Sequence, residues 1–209
     1  MGYAAYPVAA DLTAFLADAG FSNPHQWNNA LAVESAKKLF ERRVSRTMLA
    51  TSGTRTFNPP INRQGFVDFK DDLATLTSVS ISGTAQTLNT DFVMEPDGNP
   101  DRGMPWHGLR FPYKVWYKPL AASQIKSVSV VGYWGFATTI PEDAWLAIIQ
   151  MAAAGLGPSI QQSISGGLTM WQHGDVSERY GEAGQLNAYL TGLMRAADDV
   201  VAAYKRVIV

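Results

Sequence analysis

VSVVGYWGFATTIPEDAWLAIIQMAAAGL, residues 128–156, decides the architecture, because it joins a strand pattern to a helix pattern through a single proline. In its first part Val128, Val130, Gly132, Trp134 and Phe136 recur at every second position, the period of a strand with one buried face. Val131 and Tyr133 make the other face partly apolar, which predicts an inner strand. Pro141 suits the first position of a helix, where a missing N–H is harmless, and Glu142 and Asp143 place negative charge at the positive end of the helix dipole. Ile140 is a poor cap, so Thr138 or Thr139 is the candidate to help there. Trp145, Ile148, Ile149, Ala152 and Leu156 then form a stripe, and Ala144, Ala147, Met151 and Ala154 fill its flank, so this helix should be buried on most sides. From Ala144 to Leu156 it has only thirteen residues, interrupted by Gln150. A bilayer needs roughly twenty, so no membrane span is expected.

Outward from this stretch, residues Ala9 to Ala19 predict a short helix with Leu12, Phe15 and Leu16 on one side, ended by Gly20. Pro24 can open a second helix from about His25 to Met48, with Leu31, Leu39, Phe40, Val44 and Met48 facing a core. Lys38, Arg42 and Arg46 follow at four-residue spacing on its polar side, with Lys37 and Arg43 beside them and Glu34 and Glu41 as intrahelical partners. Such a row reads either as a solvated face or as an interface for an acidic partner or phosphates.

The TSGTRTFNPP of residues 51–60 forbids a continuing helix and marks the change to strand-rich sequence. Strands are expected at Gly65 to Lys70, Leu73 to Ile81, Gln86 to Met94 and Leu109 to Tyr117, with a hairpin through Ser82 and Gly83 and the inner strand from about Ile125. After Gly155, Gly157 and Pro158, the chain from Gly157 to Gly184 reads as a polar connector with little core signal. From Gln185 helical spacing returns, with Leu186, Tyr189, Leu190, Leu193, Ala197, Val200, Val201 and Tyr204 on one stripe and Lys205 and Arg206 at the negative end of the dipole. The expected class is α+β: a mainly α-helical bundle of two N-terminal helices, a central buried helix and a C-terminal helix, with an inserted antiparallel β unit. The boundaries read 1–52 for the N-terminal helices, 53–139 for the β unit and 140–209 for the rest, with 28–52 and 140–209 packing as one helical domain.

Composition narrows the chemistry. The chain of 209 residues is 46% hydrophobic with a formal net charge of −1, so no basic footprint for gripping a duplex is present. It has no cysteine, which removes disulfides, thiolate metal sites and a cysteine nucleophile. MGYAAYPVAADLTAF has no positive region ahead of an apolar core, so no secretory signal is read. No GxGxxG, GxxxxGK, HExxH or GxSxG string occurs. His25, His107 and His173 lie far apart and read as surface residues, and Glu142 with Asp143 is explained by its helix start. Within PDGNPDRG, residues 96–103, Asp97, Asn99 and Asp101 have calcium-loop spacing, but Arg102 stands where glycine is needed and Gly108 where a closing Glu is needed, so a surface turn is expected. No catalytic, cofactor-binding or metal-binding residue is assigned, and no cofactor. Trp106, Phe111, Tyr113, Trp116 and Tyr117 read as core or subunit interface, with a stacking platform for sugars or bases as the other use of such residues.

Taken in order, Thr54, Arg55 and Phe57 at the entry to the β unit, Asp72, Leu73, Thr77, Ser78 and Val79 in its first clear strand, Gly132, Trp134 and Gly135 at the strand end, Pro141 and Ala147 in the following helix, Gly174, Asp175, Val176 and Ser177 in the loop beyond, and Tyr204 with Arg206 in the last helix form a pattern. The chain resembles the head-to-tail connector, or adaptor, proteins of tailed bacteriophages and prophages over most of its length. That resemblance implies a non-enzymatic virion protein, made in the host bacterial cytoplasm and placed at the head-to-tail joint. It implies rings, commonly of about twelve subunits, whose heterologous interfaces join one face of a subunit to a different face of the next. Implied partners are the portal protein, neighbouring copies of itself, and a downstream neck or tail protein, with DNA passing through the channel without sequence-specific binding and no membrane contact. The near-neutral charge is compatible with such passage. Candidate partner-interface residues are Lys38, Arg42, Arg46, Trp171, Asp175, Ser177, Tyr180, Tyr204 and Arg206. Another neck or tail-completion protein, a carbohydrate-binding module on the aromatic β unit, and a hydrolase using Glu142, Asp143 or His173 remain as other readings.

Overall fold

In the computed structural model the described residues are 2–21, 27–60, 65–98, 103–112, 125–160, 170–173, 176–179 and 182–205. The chain divides into two compact units, one of residues 46–140 and one of residues 1–45 with 141–209.

The first is a six-stranded antiparallel sheet: β1 (Thr51–Phe57), β2 (Phe66–Ile81), β3 (Thr84–Gln86), β4 (Val93–Glu95), β5 (Trp106–Arg110) and β6 (Val128–Trp134). Its order is β1-β6-β2-β5-β4, with β3 paired to β2, so the strand expected to be internal lies between β1 and β2. Alternation works as read: Val128, Val130 and Trp134 are buried while Tyr133 is exposed. The segments expected as separate strands at Gly65 to Lys70 and Leu73 to Ile81 are one strand of 16 residues. Its register shifts do the work of the missing break, since Leu73 stands opposite Trp106 of β5 and also opposite Trp134 of β6. The hairpin through Ser82 and Gly83 forms, both residues at positive φ, with Ile81 facing Thr84.

Gln86 to Met94 is not one strand. Thr87 donates its N–H to the Asp91 carboxylate at 2.9 Å and Asn89 sits at φ 64, so a turn separates β3 from β4. β5 ends at Arg110, and Tyr113, Trp116 and Tyr117 of the expected Leu109 to Tyr117 strand lie outside the described residues. The core gathers Val67, Phe69, Leu73, Val79, Leu109, Phe111, Val128, Val130 and Trp134. Gly132 is required by close approach: a Cβ there would lie 2.3 Å from the Thr75 carbonyl oxygen.

The second unit contains α1 (Ala9–Asp18), α2 (Asn29–Val44), α3 (Glu142–Gly155) and α4 (Glu182–Tyr204). α1 ends as its sequence predicts. Gly20 at φ 86 lets its own N–H reach the Ala17 carbonyl at 2.9 Å and the Phe21 N–H reach Leu16 at 3.0 Å, the paired bonds of a Schellman motif.

α2 is shorter than the expected His25 to Met48. Asn28 caps it by accepting from the Leu31 N–H at 3.1 Å, and Ser45, left-handed at φ 56, ends it. His25 and Pro24 lie outside the described residues. The cap sets the helical phase, so Val33, Ala36, Phe40 and Val44 are buried while Leu31, expected in the core, is 62% exposed.

α3 is buried on most sides, as expected. Ala144, Ala147, Ile148, Ile149, Met151, Ala152 and Ala153 are buried as it packs against α1, α2 and α4. Ile148 and Ile149 are fully buried. Each contributes about 1.5–3 kcal/mol by leaving water. Pro141 is the cap residue rather than the first helical one, and neither Thr138 nor Thr139 caps α3. α4 begins earlier than Gln185, and of its stripe Leu186, Leu190 and Ala197 are buried while Tyr189 stays exposed. Lys205 follows the helix end, and Arg206 lies outside the described residues.

The Gly157 to Gly184 segment is not patternless. It carries β7 (Met170–His173) and β8 (Val176–Arg179), an antiparallel ribbon with Val176 opposite His173 and Arg179 opposite Met170. Among the described residues no helix is long and apolar enough to cross a membrane.

Candidate partner-interface site

The cations of α2 have unequal fates. Lys38 and Arg42 are exposed. Lys37 lies over the Tyr6 ring, its Nζ 4.3 Å from the centroid, and the Tyr6 hydroxyl donates to Glu41. Arg43 forms an ion pair with Asp198 on α4. The row of five therefore offers two exposed cations, with two others held by neighbours within the unit.

Arg46 does not continue that row. The left-handed turn at Ser45 takes it off the helix and into the sheet unit, where its side chain is 9% exposed. Its Nη1 lies 3.3 Å from Asp72 Oδ2, and its guanidinium stands over the Phe136 ring at 5.2 Å. Asp72 Oδ1 is 3.1 Å from His107 Nδ1. His107, expected at the surface, is thus tied to a carboxylate with only 2% exposure. Local spacing could not reveal this cluster, because its members come from the chain before β1, from β2 and from β5. Among the described residues no group of three or more His, Cys, Asp or Glu could hold a metal ion.

Tyr204, at the end of α4, donates its hydroxyl to Asp143 Oδ1 on α3 at 2.8 Å, and the same oxygen accepts the Ala144 N–H at 2.9 Å. Burial first, then the hydrogen bond and the charge of Asp143, push the phenol well above its ordinary range. Because the folded phenol holds its proton more tightly than the unfolded one, its contribution is full below about pH 10 and is lost as pH rises beyond that. Alkaline unfolding should therefore steepen above about pH 10 in the parent and flatten there in Tyr204→Phe, read by far-UV circular dichroism.

Trp171 and Ser177 fall on the ribbon, opposite Glu178 and Gln172. Asp175, Tyr180 and Arg206 lie outside the described residues. The structure thus brings Trp171 and Ser177 onto one ribbon and leaves Lys38 and Arg42 on one helix.

Residues from the entry and the exit of the β unit converge more closely. Thr51 to Phe57 runs in unbroken register against Val128 to Trp134, with Gly53 opposite Gly132. The Trp134 indole donates to the Gly53 carbonyl at 3.0 Å and lies under the Arg55 guanidinium at 4.4 Å. Phe57 and Phe69 pack on the same indole at centroid distances of 5.9 and 5.2 Å. Arg55 also pairs with Asp71, and burial lowers its pKa from the ordinary value. The Asp71 partnership carried no sequence signal, since opposite charges this far apart in the chain are too common to pair by inspection.

Of the aromatic platform, Phe111 is 1% exposed and belongs to the core. Trp106 is half-buried and lines a groove of about 520 Å³ with Leu88, Met94, Glu95 and Asp97.

No family model matches the sequence, and no curated protein matches it. Among solved structures the chain is similar to one in an assembly described as "Neck of empty GTA particle computed with C6 symmetry", at 14% identity and a TM-score of 0.49, over 100% of this chain and 96% of that one.

Proposed function

We propose that this protein is a structural connector of a phage-type neck, a ring subunit that docks on a portal, joins head to tail and leaves an open path for DNA. The observation that carries the reading is the convergence on Trp134: Arg55 and Phe57 from the entry of the β unit meet Gly132 and Trp134 from its exit. These four are among the residues that the connector resemblance singled out. A helical unit with an inserted sheet gives one chain two separate surfaces, which a head-to-tail ring contact requires. Lys38 and Arg42 on α2, the ribbon and α4 are the candidate portal or neighbour contacts.

The test is inactivation of the gene in its phage or prophage, followed by negative-stain microscopy of the lysate. Heads lying beside separate, complete tails are the expected result, with infectious titre lost. Intact infectious virions would overturn the assignment. A different neck or tail-completion role is the second reading, and immunogold position along the particle distinguishes it from a portal-bound ring.

A further inference from the structure

β1 is the outermost strand, and among the described strands none pairs with its far side. Edge strands are ordinarily blunted by proline, lysine, a bulge or extreme shortness. β1 is seven residues long, contains neither proline nor lysine, and keeps an unbroken register against β6. Its one cation, Arg55, is folded over the Trp134 ring and paired with Asp71. What remains along the edge is a row of backbone donors and acceptors beside the exposed residues Thr51, Ser52, Thr54 and Thr56. Threonine favours extended backbone, so the strand is built to stay straight and ready to pair.

The other unit carries the complementary deficiency. The ribbon of β7 and β8 pairs, among the described strands, only with itself. A lone two-stranded ribbon is marginal in water and gains stability from a third strand. Each of its strands has four residues, which fits within the seven of β1. Among the described strands, every copy thus carries one unpaired edge and one ribbon without a third strand, on different units. That is the arrangement of a heterologous contact, which repeats from copy to copy until a ring closes.

We propose that the ribbon Met170–Arg179 of one copy adds to the edge Thr51–Phe57 of the next, continuing the sheet across the subunit boundary by main-chain hydrogen bonds. The inference rests on the ring reading above, since its occupant is a second copy of this chain. Main-chain pairing supplies the affinity, and the short hydroxyl side chains of β1 supply little competing specificity.

The absence of native cysteine permits a direct test. One population carries Thr54→Cys, and a second carries a single cysteine placed in turn at each described ribbon position. The two are mixed, assembled, imaged and oxidised. Disulfides form only between residues whose Cα atoms stand about 4.4–6.8 Å apart, so paired strands link where they are opposite. The expected result is a mixed dimer on a non-reducing gel, absent from either population alone, at the one ribbon position that stands opposite residue 54 and not at its neighbours. Rings that form without any mixed dimer would overturn the ribbon contact and leave the ring reading standing. In a third protein that carries both cysteines on one chain, links confined within that chain would also overturn it, by showing the ribbon folded onto its own edge. If microscopy shows no rings at all, with the protein folded by circular dichroism, the ring reading falls and this contact with it.

Discussion

Replacement of Trp134 by alanine should destabilise the sheet unit by about 3–5 kcal/mol, the usual range for emptying a large aromatic site in a packed core. Trp134 is 3% exposed, and its indole is packed by Phe57 and Phe69, covered by Arg55 and bonded to the Gly53 carbonyl. A single alanine thus removes the packing that holds β1 against β6, together with a donor that satisfies a backbone carbonyl. Against a total stability of about 5–15 kcal/mol, such a loss leaves the unit near its unfolding threshold. Urea denaturation followed by far-UV circular dichroism should show the midpoint falling sharply. Trp134→Phe keeps most of the apolar volume and loses the N–H, so its cost should be nearer about 1 kcal/mol. Equal midpoints for the two variants would mean that the indole's packing matters less than its hydrogen bond.

Asp72→Ala should be comparably damaging for an electrostatic reason. The carboxylate is 2% exposed and faces Arg46, itself 9% exposed, as well as His107. Removing it leaves a guanidinium in a largely dry site with its counter-charge gone, which costs about 3–5 kcal/mol. The Asp72 backbone also accepts the Gly135 N–H at 2.9 Å, and alanine keeps that bond, so the effect isolates the side chain. The double variant Arg46→Met with Asp72→Leu should be markedly less destabilised than Asp72→Ala, because an apolar pair of similar volume leaves no buried charge. A thermal unfolding series of the three proteins reads the difference directly. If the double variant were worse than the single, the cluster would be held by shape rather than by charge.

The inner strand and the buried helix after it were legible because long apolar patterns are their own evidence: Val128 to Trp134 alternates, and Ala144 to Leu156 is apolar around most of its circumference. Errors arose where one residue's conformation outweighed the pattern. Ser45 has no sequence signature of a left-handed residue, yet its turn at φ 56 ends α2 and takes Arg46 from a helix face into the sheet unit. The cap at Asn28 fixes a helical phase that turns Leu31 outward, although Leu31 and Val33 are equally apolar on paper. β2 was read as two strands because Asp71 and Asp72 interrupt the apolar alternation. The fold instead pays for that interruption with a register shift and a buried ion pair.

The interface residues were less legible than the fold. Contacts between strands distant in sequence, such as Arg55 over Trp134, are set by register, which no local spacing encodes. Four-residue strands such as β7 and β8 fall below the length at which alternation separates from chance, and the glycines around them suggested a loop. Lys38 and Arg42 were legible as exposed because Glu34, Ser35 and Glu41 flank them on α2, although the exposed Leu31, two turns before Lys38, shares their side.

The chain enters and leaves the sheet unit at one place. The Phe136 N–H bonds the Thr47 carbonyl at 2.8 Å, Ala137 bonds Met48 at 3.1 Å, and Ala50 returns a bond to Ala137 at 2.8 Å. These bonds hold the two crossings side by side, and Asp72 of β2 ties in on both flanks through Arg46 and the Gly135 N–H. The segment is therefore a cassette: provided that Asp72 is kept, a longer or shorter sheet can occupy it while the flanking chain still spans the same few ångströms. Loop-closure entropy adds only about 0.6 kcal/mol for each doubling of an insertion, so the exchange is thermodynamically mild. A lineage of such proteins can diversify what this sheet meets while keeping its helices unchanged.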